Sequence, residues 1–204
     1  MRRSLLLALA LSAALGMGTA AARPDTGGRD IQDFAVANFR KTVATCVDAA
    51  ASVRFFAGDN LQSPIGSGQP SSWSDTDMTL EVIDTCAGES DVVLWHLEGF
   101  STVEDPDMER LEHATLDAAV TLSNGNGVFV DAVIDLEWTG NGDATVGIGH
   151  QLEIGYFRQE RFETAQIAGA IAFLPSQVWP DGIVFTQDDP YDAAIGTANE
   201  ISIP

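Results

Sequence analysis

The chain has 204 residues, thirty acids against ten bases, a formal charge of −20 and 45% apolar residues. That apolar share suffices for a core, which excludes a disordered chain, and the length fits one domain. The charge excludes nucleic acid, whose phosphates need clustered Lys and Arg, and it excludes docking on anionic lipid.

The chain opens on Arg2 and Arg3, followed by a chargeless apolar run from Leu5 to Gly18. Small residues then offer cleavage after Ala20 or Ala22. That three-part layout predicts a secretory signal peptide over 1–22, with the paired arginines leaving general or twin-arginine export open. A run of fourteen residues is too short to span a bilayer comfortably, and no later segment is long and apolar enough for membrane insertion. A secreted, extracellular product is therefore expected, and losing Arg2 and Arg3 moves its charge from −20 to −22. Nine arginines against the single Lys41, with abundant Ala, Gly and Asp, suit a high-GC bacterial genome. Cys46 and Cys86 are the only cysteines and lack the close Cys or His spacing of a zinc site, so a disulfide is expected outside the cell.

Residues 23–30 read as a flexible leader, and 31–204 as one β domain. Phe34 to Val43 fits a strand or a short helix, while Ala51 to Ala57, Met78 to Thr85 and Val92 to Phe100 fit strands. Gln62 to Asp77, rich in Ser, Pro and Gly, reads as a long loop. From Ala114 the pattern sharpens. Ala114, Leu116, Ala118, Val120 and Leu122 alternate with mostly polar neighbours, as do Val128, Val130, Ala132, Ile134, Leu136 and Trp138. A period of two marks a strand with one buried face. Ser123-Asn124-Gly125-Asn126-Gly127 between them is a hairpin loop, because Asn and Gly tolerate positive φ.

A similar loop, Thr139 to Asp143, leads into a third alternating run with Ala144, Val146, Ile148, His150, Leu152, Ile154 and Tyr156 on one face. Three consecutive antiparallel strands are predicted. Phe157 to Phe173 reads as a strand, since it lacks a helix cap and contains Gly169. Pro180 and Asp188-Asp189-Pro190 punctuate the approach to a last strand, Ala194 to Ile203. The fold class expected is all-β: an antiparallel β-sandwich or β-barrel of about eight to ten strands.

The run Val-Asp-Ala-Val-Ile-Asp-Leu-Glu-Trp138-Thr139-Gly140-Asn141-Gly142 resembles a strand end, Trp-Thr-Gly-x-Gly, in uncharacterised secreted proteins of high-GC bacteria. The closing Ala194-Ile195-Gly196 and Glu200-Ile201-Ser202-Ile203 is similar to their last strand. The resemblance covers about a quarter of the chain and implies secretion and an all-β fold; it carries no function to transfer.

Common catalytic signatures are absent: Gly66-Ser67-Gly68 lacks the outer spacing of a nucleophile elbow, and no P-loop or His-Glu-x-x-His occurs. Of three histidines, His113 has the parity of an outward residue, His96 is undecided, and His150 falls on an apolar face, so a shared metal site is not expected. His150 beside Trp138 and Tyr156 could line a barrel interior and contact a small ligand, or be a core histidine bonded to a carbonyl. Glu98, Glu153, Glu160 and Glu163 are candidate carboxylates for glycan hydrolysis, which needs two at a set separation. With thirty acids, coincidence accounts for such pairs, so catalysis is not the expected role. Asp188, Asp189 and Asp192 are a candidate Ca2+ loop, with ordinary solvated acids as the competing reading and no other cofactor expected. The expected function is a non-catalytic, extracellular binding or envelope-associated module, its partner a small molecule, glycan or envelope component. A small secreted hydrolase is the alternative.

Overall fold

The computed structural model describes residues 28–62, 71–87, 90–104, 106–149 and 156–202. These residues form eleven strands, joined in one antiparallel sheet. In chain order they are β1 (Gly28–Ala44), β2 (Val47–Gln62), β3 (Ser71–Asp84), β4 (Val92–Thr102), β5 (Asp107–Glu109) and β6 (His113–Ser123). There follow β7 (Phe129–Gly140), β8 (Thr145–Gly149), β9 (Tyr156–Phe173), β10 (Ile183–Thr186) and β11 (Tyr191–Ser202).

The pairings make a closed circuit, β9–β11–β1–β2–β3–β4–β6–β7 and back to β9. Alternation along each strand of this circuit sends one set of side chains inside. The thinnest joint lies between β4 and β6, where Glu98 and Ser123 are the one backbone pair. The interior is apolar. Phe55, Met78, Leu80, Leu97, Leu116, Leu122, Ile134, Leu136, Trp138 and Ile171 are fully buried in one cluster. Burying a side chain of this size stabilises by roughly 1.5 to 3 kcal/mol.

The β6–β7 hairpin follows the alternation: Leu116, Val120 and Leu122 face in opposite Leu136, Ala132 and Val130. Its loop is set by Asn124, whose Oδ1 accepts from the backbone N–H of Asn126 at 2.8 Å and of Val128 at 3.2 Å. The next loop departs from expectation. β8 does not pair back on β7; both lie end to end along β9, with Gly140 opposite Ala165 and Thr145 opposite Phe162. The four residues between Gly140 and Thr145 thus face two on β9, a bulge rather than a hairpin. Thr145 and Val146 are both exposed, so the expected inward direction of Val146 is corrected too.

Within β9, Gly169 sits at φ 96°. A Cβ there would lie 2.1 Å from the Asp135 carbonyl oxygen, so only glycine fits. Residues Phe34 to Val43 are strand, not helix. Strand also begins at Gly28, within the stretch read as leader, and at Ser71, within the stretch read as loop. Two polar residues of that last segment are buried and satisfied: Thr76 Oγ1 donates to the Arg54 carbonyl at 3.1 Å and Ser74 Oγ to the Val103 carbonyl. β5 and β10 were not foreseen; each is only three or four residues long.

Cys46 and Cys86 form the disulfide, with Cα atoms 5.2 Å apart, tying the β1–β2 turn to the end of β3. The backbone N–H of Thr85 donates to the Cys46 carbonyl at 2.9 Å beside it. Cys46 adopts φ 62°, a left-handed conformation costly for a residue with a Cβ.

Candidate functional site

Asp33 shares the inward parity of Ala35, Ala37 and Phe39 on β1, all members of the core cluster. Its Oδ2 lies 3.5 Å from Arg110 Nε, while its Oδ1 is buried with no hydrogen-bond partner. Two strands away on β9, Glu163 is buried at 4% exposure, in the register row of Ile195 and Ala35. Its Oε1 lies where a Cβ on Gly140 would be, 1.8 Å from that point, and the Leu111 carbonyl oxygen is 2.1 Å from it. The glycine of the Trp-Thr-Gly strand end therefore makes room for a buried carboxylate.

Leu111 itself has φ 61°, and backbone strain of this kind gathers at functional sites. The Gly140 N–H donates to the Glu112 carbonyl at 2.9 Å, which fixes residues 110–112 across this end of the barrel. One end of an apolar interior thus holds Asp33 and Glu163, with the exposed Arg110 and a strained leucine beside them. Arg161 shares the row of Asp33 and Thr197 and is exposed. These carboxylates can accept hydrogen bonds from a hydroxyl or an ammonium group.

Trp138 is fully buried, and its Nε1–H donates to the Val36 carbonyl at 3.1 Å. It pairs in register with Ile167, whereas Tyr156 opens β9 about eleven residues away, roughly 36 Å of strand. His150 and Glu153 lie outside the described residues. Glu160 has the parity opposite to Glu163 on β9, and Glu98 is exposed, so these three carboxylates are not brought together on one face.

The other two histidines stand outside the barrel. His96 accepts or donates at both nitrogens, Nδ1 to Glu81 and Nε2 to Glu98, each at 3.0 Å. The Glu98 hydrogen bond, opposed by partial burial and aided by Glu81, raises its pKa above 6.5. His113 Nε2 lies 3.2 Å from Glu137 Oε1, in keeping with its outward parity.

Asp189 is engaged: its Oδ2 accepts the Thr186 N–H at 2.9 Å and faces Lys41 Nζ at 3.3 Å. Asp188 and Asp192 are exposed. Among the described residues no group of three or more His, Cys, Asp or Glu side chains is placed to hold a metal ion. Asp33 and Arg110 escaped the sequence reading. The available signal was an acid at the inward parity of Ala35, Ala37 and Phe39.

No known protein family and no curated protein matches the chain. A solved structure of a protein provisionally assigned as AttH, from Nitrosomonas europaea, is similar at 13% identity and a TM-score of 0.30. The match covers 84% of this chain and 50% of that one, so the chain spans about half the length of that protein.

Proposed function

We propose that the protein is an exported, non-catalytic binding module of the bacterial exterior. Its Asp33 end takes a small ligand rich in hydrogen-bond donors, such as a glycan or an amine. The observation behind this reading is Asp33 Oδ1, a buried acceptor without a donor among the described residues. An unmade hydrogen bond of this kind costs roughly 1 to 3 kcal/mol, which a donating ligand would return as affinity. Buried Glu163 adds a second acceptor at the same end of an apolar interior. The Cys46–Cys86 disulfide is compatible with an oxidising compartment.

The test is thermal melting of protein purified from culture supernatant, against a panel of soluble oligosaccharides and polyamines. Stabilisation by one compound class, lost in Asp33→Ala, is expected. A melting temperature unmoved by every compound would refute the reading. Glycan hydrolysis is the second reading, favoured by the burial of Glu163. Release of reducing ends from a polysaccharide panel, abolished by Glu163→Gln, would replace the first.

A further inference from the structure

The outer face of β6, β7, β9 and β10 carries a pattern that the fold does not use. Register places Ala119, Val133, Ala172 and Val184 side by side across the four strands. All four have outward parity, and Val133 and Val184 are 45% and 47% exposed. Leu174, 45% exposed, stands beside one flank of the row, its N–H bonded to the Asp131 carbonyl at 2.8 Å. An apolar row this exposed and continuous is characteristic of a contact surface.

Acids flank it on both sides. Asp131 lies two residues along β7 in one direction and Asp135 two residues in the other, all outward. Asp117 stands directly opposite Asp135 across the β6–β7 pair, a like-charge placement that weakens a sheet. Glu137 follows on the same face, paired with His113. Thr121 Oγ1 donates to Asp131 Oδ1 at 2.6 Å. Lys41, which touches β10, has its Nζ already bonded to the Val184 carbonyl and Asp189.

We propose that this face docks a cationic amphipathic helix of a partner protein. The row of four spans three strand spacings, about 14 Å, and the flanking acids sit about 7 Å to either side. A helix about 10 Å across, laid over the row, would seat its apolar stripe on Val133 and Val184. Lysines or arginines beside that stripe would reach Asp131 on one flank and Asp117 with Asp135 on the other. A second copy of this chain fits poorly, because each copy carries −20 and would set acids against acids. The surface lies on the outside of the wall, apart from the Asp33 end, so the failure of either proposal leaves the other standing.

The experiment is fluorescence anisotropy of the full chain with a labelled Leu/Lys amphipathic helical peptide of about 18 residues. A peptide of the same composition with its stripe scrambled is the control. Val133→Asp separates apolar docking from bare charge attraction, since it adds an acid while removing the apolar contact. Val184→Asp, on a different strand, repeats the test should the first variant lose its native dichroism. Expected are weakening of about tenfold in either variant, and about tenfold weaker binding of the scrambled peptide. Asp117→Asn with Asp135→Asn should also flatten the salt dependence. Equal or tighter binding by both valine variants, equal binding of the scrambled peptide, or no binding to the unmodified protein would each overturn the proposal.

Discussion

The two ends of β1 solve the shortage of cations in opposite ways. At its C-terminal end every available base is committed. Arg40 reaches Asp48 at 3.0 Å and Asp91 at 3.2 Å, and its N–H bonds the Pro190 carbonyl at 3.2 Å. Lys41 binds Val184 and Asp189 and lies 5.2 Å over the Phe185 ring. Phe39, Phe173, Phe185 and Tyr191 pack beneath, with ring centroids 5.8 to 6.1 Å apart. The disulfide closes the same end. At the Asp33 end, Asp33 Oδ2 makes only a 3.5 Å approach to the exposed Arg110, and its Oδ1 is left without a partner among the described residues. One end is built for permanence, and the other keeps unmet hydrogen-bonding capacity.

That contrast can be broken most forcefully at the sulfurs. Cys46→Ser with Cys86→Ser frees a loop closed over a sequence separation of 40 and should lower the unfolding free energy by about 4 kcal/mol. Urea denaturation measures it, and a loss below about 1 kcal/mol would mean that Arg40 and Lys41 secure this end unaided. At the other end, Gly140→Ala drives a methyl into Glu163 Oε1 and the Leu111 carbonyl, and should cost about 2 to 3 kcal/mol. Adding Glu163→Ala should restore only part of this, because the backbone carbonyl stays; full restoration would show that residues 110–112 yield. Lys41→Met removes one charge-assisted clasp and should cost about 1 to 2 kcal/mol by the same urea assay. A neutral result would assign the closure of β10 to the aromatic cluster alone.

The smallest effect concerns pH. The Thr42 hydrogen bond, against some burial and with help from Arg40, lowers the Asp48 pKa below 3.8. Its stabilisation is present above that value and is lost as pH falls through the lowered one. Burial, then the Asp77 charge, raises Asp75; burial, partly offset by Arg54 and aided by Glu98, raises Asp77. These two favour the fold when protonated, so their contribution is present below 3.8 and fades as pH rises through the raised values. Acidification should therefore protect β3 amides near Asp75 and Asp77 before it loosens those around Asp48. Residue-resolved hydrogen exchange that found the opposite order would remove the electrostatic side of the contrast.

The sequence was legible where one face of a strand is wet. β6 and β7 alternate cleanly because Leu116, Leu136 and their neighbours face in while Asp117 and Asp135 face out. β1 gave an ambiguous pattern because Phe34, Ala35, Val36 and Ala37 are all buried, so no period of two survives. β8 is a strand as its sequence alternation predicts, but alternation names a strand and not its neighbour; its pairing with β9 depends on a bulge between Gly140 and Thr145. The start of β3 was hidden by polar residues, of which Ser74 and Thr76 satisfy their hydroxyls against backbone carbonyls. Of the Asp33 end, Glu163 was visible as one candidate among many acids. Asp33 was not, because its partner Arg110 comes from a loop far along the chain.

Lys41 is the chain's sole lysine, so the folded barrel carries a single ε-amine, and that amine is tied down by a carbonyl, a carboxylate and a ring. Acylating reagents will find it slowly while β10 stays docked and quickly once the strand lifts. The rate at which one fluorophore couples to this position becomes a built-in clock for opening at the sealed end, without any engineered handle.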